Sequence, residues 1–139
     1  MVVRPADAPD LPACLAVRRR VFIEGQGVPE EIEIDGRDGE ASHFLATVDG
    51  LPVGTARLRA YQGRAKVERV AVLAERRRSG IGQALMEAVE AVARSRGFTL
   101  ALLHAQIPVA EFYARLGYRP EGSTFLEADI PHVRMTKVL

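Results

Sequence analysis

One cysteine, Cys14, is present among 139 residues, and that scarcity excludes an internal disulfide and argues against a cysteine-based zinc site; no metal is expected. No apolar run reaches membrane-spanning length and no signal-peptide pattern opens the chain, so a cytoplasmic protein without a membrane partner is the simplest expectation. Neither charge dominates. With 19 Lys+Arg against 18 Asp+Glu there is no general basis for coating nucleic acid. Repeats, low-complexity stretches and linkers are also missing, so residues 1–139 are expected to form a single domain.

What is present is locally uneven. Arg18-Arg19-Arg20 and Arg76-Arg77-Arg78 are basic runs, whereas Glu30 to Asp38 is strongly acidic. Val2 and Val3 suggest a short strand, after which Asp7 or Asp10 caps a helix reaching about Glu24 and ended by Gly25 and Gly27. Leu11, Cys14, Leu15, Val21 and Phe22 keep helical spacing, and Arg18 lies in that apolar stripe, where a charge needs a partner or an exit to water. Strands are expected over 43–48, 53–61 and 66–73, with Asp49-Gly50 as a turn between the first two. A helix follows whose inner face is Ile81, Leu85, Ala88, Val89 and Val92, with Glu87, Glu90 and Arg94 outside. Phe98 to Ala105 is apolar enough for a central strand with parallel pairing. Pro108 opens another helix carrying Val109, Phe112, Tyr113 and Leu116 on one face, and two strands close the chain, near Tyr118 and over 132–138. The expected fold is α/β: a mixed, mostly antiparallel sheet with a central β-α-β crossover and flanking helices.

Between the third strand and its helix stands Arg77-Arg78-Ser79-Gly80-Ile81-Gly82. Two glycines let the backbone approach a ligand, and the unpartnered first amides of a helix suit a phosphate. A nucleoside triphosphate loop wants Lys then Ser or Thr, where Gln83-Ala84 stand; a dinucleotide fingerprint wants a third glycine, where Leu85 stands. The plain alternative is a helix start with solvated arginines.

The run from Val70 to Leu85 resembles the acetyl-CoA motif of the GNAT N-acetyltransferase superfamily, Arg/Gln-x-x-Gly-x-Gly/Ala, beginning here at Arg77. Leu102 to Tyr118 resembles its second signature, and the order of elements matches over nearly the whole chain. Val21 to Pro29 and Ile130-Pro131-His132 resemble the small bacterial branch typified by ElaA and YjcF. The resemblance implies an opening between the strand at Val70–Val72 and the strand at Leu100–Leu103. The pantetheine of acetyl-CoA would lie there, against the backbone of Val70, Ala71 and Val72. The pyrophosphate would meet Arg77, Arg78, Ser79, Gly80, Ile81, Gly82 and Gln83. A backbone N–H near Val70 would polarise the thioester carbonyl.

Acetyl transfer to an amine needs a base for the ammonium and an acid for the departing thiolate. Tyr113 matches the family's tyrosine and is the candidate acid; a packed helix tyrosine is the alternative. Glu68 is the leading base, on the assumption of strict alternation that places it on one strand face with Val70 and Val72. His104 and His132 are its rivals, and His43 reads as structural. Arg18, Glu30 and Glu31 are candidate substrate contacts: the arginine for a carboxylate (that of Glu24, another acid or a substrate), the glutamates for a cationic amine. Cys14 reads as core. Direct transfer from acetyl-CoA to a small-molecule or peptide amine is the expected activity, with homodimerisation open. A CoA-binding regulatory domain without turnover is the second class, and a nucleic-acid binder resting on two arginine triplets is a third.

Overall fold

A computed structural model describes residues Met1–Leu139. Eight strands form one sheet in the order β1 (Val2–Pro5), β2 (Ser42–Val48), β3 (Leu51–Tyr61), β4 (Arg64–Val72), β5 (Leu100–Gln106), β8 (Ile130–Val138), β6 (Arg119–Pro120), and β7 (Phe125–Glu127) pairs with β8 beside β6. Every pairing is antiparallel except β4 with β5, which α3 (Ile81–Ser95) connects. No helix is long and apolar enough to cross a membrane.

The core lies where α3 covers the sheet. Ile81, Leu85, Met86, Val89 and Ala93 repeat at helical spacing and bury against alternate residues of the strands, including Phe44, Leu58, Val67, Ala101 and Leu103. Gly97, with φ +86°, ends the helix in the left-handed region as expected. On the opposite face sits α1 (Leu11–Arg18), whose Val17 buries with Val21, Ala71 and Leu73. A wide π turn, Arg19–Glu24, prolongs it and closes with Gly25 N–H on the Arg20 carbonyl. A Cβ at Gly25 would stand 2.6 Å from the Val21 carbonyl oxygen, so that turn requires glycine.

Three local expectations fail for identifiable reasons. Glu90 is buried rather than outward: its carboxylate accepts from the Tyr118 hydroxyl at 2.9 Å and from Lys137 at 2.8 Å, groups that residues 118–138 bring over the helix. The strand β7 was not expected. It forms a hairpin with β8 through Ala128 and Asp129, both at positive φ, a primed turn written without glycine or asparagine. Third, Arg69 has φ +53° and makes a bulge in β4: Arg57 pairs with Glu68 and Thr55 with Ala71, so two steps on β3 oppose three on β4. The bulge inverts the alternation beyond it. Glu68 therefore shares a face with Ala71, towards α1, while Val70 and Val72 pack towards α3.

Candidate active site

The parallel pairing of β4 with β5 is short. It joins Ala65–Val67 to Ala101–Leu103 and stops. Beyond it the strands diverge, leaving β4 from Glu68 to Val72 and β5 from His104 to Gln106 without each other. The opening thus lies further along β5 than Leu100–Leu103, of which Ala101–Leu103 are paired to β4. A cavity of about 1100 Å³ occupies it, lined from both faces of the sheet.

One end combines a bare helix start with arginines. The first amides of α3 have no partner inside the helix, whose first bond is Ala84 N–H to the Gly80 carbonyl, and no side chain caps them. Arg78 at φ +64° and Gly80 at φ +84° turn the chain so that this terminus opens on the cavity, and Arg76, Arg77, Arg78 and Arg115 line it alongside. Fifteen residues of aligned peptides stand behind those amides. Gly82 touches Phe112: a Cβ there would lie 3.1 Å from the ring. Among the predicted donor-binding residues, Val70, Ala71, Val72, Arg77, Arg78, Gly80, Ile81, Gly82 and Gln83 line the cavity, and Ser79 does not; its hydroxyl bonds the Arg76 carbonyl. Arg77 also donates from Nε to the Val72 carbonyl at 3.2 Å, tying the strand end to the loop.

Tyr113, on α4 (Ala110–Arg115), reaches the cavity from the α3 side. Its ring stands edge-on to Phe112 and to Tyr118, at 5.0 and 6.0 Å between centroids. Burial pushes its phenol up, with no hydrogen bond or charge contributing, so it is a protonated donor throughout the neutral range.

The other face holds the remaining candidates. His104 pairs across β5–β8 with Arg134, and His132 with Gln106, so both imidazoles lie on the α1 side together with Glu68. Burial alone would raise the Glu68 carboxyl, but Arg59 at 2.7 Å, Arg57 at 3.1 Å and Lys66 at 3.2 Å outweigh it and hold it below its usual value. A carboxylate gripped by three cations is a poor proton acceptor, which counts against Glu68 as base. His132 Nδ1 bonds the Ile130 carbonyl at 2.6 Å, and its ring stacks on Phe125. His104 Nδ1 stands 2.8 Å from Glu127 Oε2, and its Nε2 is buried without a partner.

Arg18 is not a substrate contact. Its side chain, 1% exposed, bonds Glu33 at 3.0 Å and Asp38 at 2.7 Å and is absent from the cavity wall. Arg57, wholly buried, adds Asp35 at 2.8 Å and Asp38 at 3.0 Å, and Arg69 reaches Glu33 at 2.7 Å. These pairs staple the acidic segment, including α2 (Glu30–Glu33), onto the sheet. Burial would raise Asp35, yet Arg57 and the Arg37 N–H dominate and keep it far below the carboxylate range. Glu30 pairs with Arg19 at the surface and Glu31 is exposed; neither lines the cavity, whereas Glu33 and Asp35 do. His43 bonds the Asp38 carbonyl, and Cys14 is fully buried, its thiol pushed up by burial.

Residues 12–139 match the model of the acetyltransferase (GNAT) domain. The chain belongs to the GNAT acetyltransferase family. Membership makes it an acyl-CoA N-acyltransferase, and the arginine-flanked terminus of α3 fits the anionic part of such a donor. YjcF of Bacillus subtilis, an uncharacterized N-acetyltransferase, is 39% identical over 122 residues, 87% of either chain. An acyl-CoA N-acyltransferase from Pseudomonas aeruginosa superposes with a TM-score of 0.84 at 31% identity, covering 99% of this chain and 98% of that one. Escherichia coli ElaA superposes with a TM-score of 0.88 at 27% identity, covering 99% of both chains.

Proposed function

We propose that this GNAT protein transfers an acetyl group from acetyl-CoA to a primary amine by direct attack within a ternary complex. One observation carries the reading: the gap between β4 and β5 opens on both faces of the sheet, with an uncapped, arginine-flanked helix terminus and a protonated tyrosine on one side and imidazoles and carboxylates on the other. A donor held on the α3 side and an amine arriving from the α1 side meet in the gap. Neither has to displace the other.

The donor supplies a thioester-linked acetyl group. The unpaired amides of Ile81, Gly82 and Gln83, with Arg77 and Arg78, hold its pyrophosphate. The free edge of β4 at Val70 to Val72 offers backbone groups to its amide-bearing arm, in the manner of an added strand. Tyr113 gives a proton to the departing sulfur. In sum the amine's C–N bond forms as the C–S bond breaks. An ammonium substrate sheds two protons: one replaces the tyrosine's, and one leaves through a base on the opposite face. The chain's chief contribution is alignment, which by itself supplies a large share of such a barrier reduction.

A turnover screen of acetyl-CoA against pooled amines, read by free thiol and by product mass, tests this. Amine-dependent thiol release with a product heavier by one acetyl group is expected. Tight acyl-CoA binding with no turnover across the pools would instead favour a regulatory CoA-binding domain.

A further inference from the structure

We infer that His104 takes the proton from the attacking amine and that Glu127, on the β7–β8 hairpin, is its positioning residue; the inference rests on the N-acetyl-transfer reading. His104 is the first residue of β5 beyond Leu103, the last one paired to β4, so its ring lines the cavity where the two strands separate. Glu127 Oε2 lies 2.8 Å from Nδ1. Glu127 accepts in that bond, so in the neutral imidazole the proton sits on Nδ1 and Nε2 is the acceptor. That Nε2 has no hydrogen-bond partner within the chain. Phe125 fixes the ring edge-on, with centroids 4.9 Å apart. A buried acceptor with its tautomer set by a carboxylate, beside the gap, is an arrangement suited to receiving one proton.

The rivals are less well placed. Three cations occupy Glu68. His132 lies one strand further from β4, opposite Gln106, and its Nδ1 faces a neutral carbonyl that stabilises an imidazolium less than a carboxylate does. In the proposed step R–NH3+ yields a proton to Nε2, leaving R–NH2 and an imidazolium paired with Glu127. The freed lone pair attacks, and the imidazolium later passes its proton to water. The charged and titratable groups around the pair are Lys66 and Glu68 on β4 and Arg134 and His132 on β8.

Glu127 has a side chain 46% exposed on a hairpin, so its variants are expected to fold. The test compares wild type, His104→Gln, Glu127→Gln and Glu127→Asp in pH profiles of kcat and kcat/KM with an amine found by turnover screening. His104→Gln is expected to lose about 100- to 1000-fold in kcat, in line with removal of a general base. Glu127→Gln is expected to lower kcat about tenfold or more and move the acid limb about one unit to lower pH, as loss of a neighbouring anion does. The amine KM should stay within about twofold, and Glu127→Asp should recover part of the rate. A raised amine KM with unchanged kcat in Glu127→Gln would make Glu127 a substrate anchor and overturn the inference, as would an acid limb unmoved in both His104→Gln and Glu127→Gln. Ring-nitrogen NMR of the free protein separates this failure from that of the function. A proton on Nδ1 supports the pair even if every amine in the screen is refused, and a proton on Nε2 in wild type rejects it.

Discussion

Arg57 and Glu68 face each other across the β3–β4 pair, Nη2 to Oε1 at 3.1 Å, and this contact ties a carboxylate of the cleft wall to a buried guanidinium. Arg57 has no exposed side-chain surface and Glu68 has little, so each satisfies the other's charge where water does not. Glu68→Gln removes a negative partner from Arg57, Arg59 and Lys66 while keeping the shape. It is expected to lower unfolding stability by about 1–3 kcal/mol. By contrast, kcat should fall less than tenfold, and the acid limb of the pH–rate profile should stay in place. Denaturant melts beside pH–rate curves check this; an abolished acid limb would restore Glu68 as the base.

Gly82 presents a separable prediction at the donor end. Alanine there gains about 1 kcal/mol of helix propensity, while its Cβ presses on the edge of Phe112, 3.1 Å away. Because the contact is with the far edge of a side chain, the ring can shift, and net stability should change by less than about 1 kcal/mol. The same methyl group would stand among the unpaired amides proposed to receive the pyrophosphate. Gly82→Ala is therefore expected to weaken acyl-CoA binding about tenfold or more by calorimetry, with an unchanged melt. Equal affinity would mean that the phosphates sit elsewhere.

The hydroxyls of Tyr113 and Tyr118 should respond oppositely. For Tyr113 no hydrogen bond contributes to the shift of the phenol, so Tyr113→Phe should leave stability within about 1 kcal/mol and cost about 100-fold or more in kcat. Tyr118 donates to Glu90 at 2.9 Å in a buried site; Tyr118→Phe should lose about 1–3 kcal/mol of stability and little turnover. Matched kcat values for the two variants would remove Tyr113 from the chemistry.

Much of this fold and part of the site are legible in the sequence. Signals confined to a dozen residues survive: the stripe from Ile81 to Val92, Gly97 at its end, the apolar run of β5, and the glycines after Arg77 all stand where their local pattern puts them. Arg18 is legible as a misfit, because a charge on an apolar stripe demands a partner, though not as Glu33's partner, fifteen residues away. What the pattern hides is what tertiary structure overrides. Arg69 adopts positive φ without being glycine, and that one residue reverses the faces of Glu68 and Val70. Glu127 meets His104 only because a hairpin with an Ala128-Asp129 turn folds back on β8, and no spacing rule connects residues 104 and 127.

The network around Arg57 also sets how stability depends on pH. Asp35, Asp38 and Glu68 are each held below their ordinary values, with burial opposing and the arginine contacts prevailing. A carboxyl with a depressed folded value binds fewer protons folded than unfolded. Its contribution is thus complete above its unfolded value, near pH 4, and is lost as pH falls through the folded one. Arg57→Met leaves these buried carboxylates short of a partner at neutral pH and should cost about 3–5 kcal/mol there. Acid removes the charge that needs the partner, so the gap between wild type and variant should narrow as pH falls from 7 towards 3. Urea unfolding of both proteins at several pH values measures it. A gap that stays constant would show that Arg57 stabilises by its packing and not by its charge.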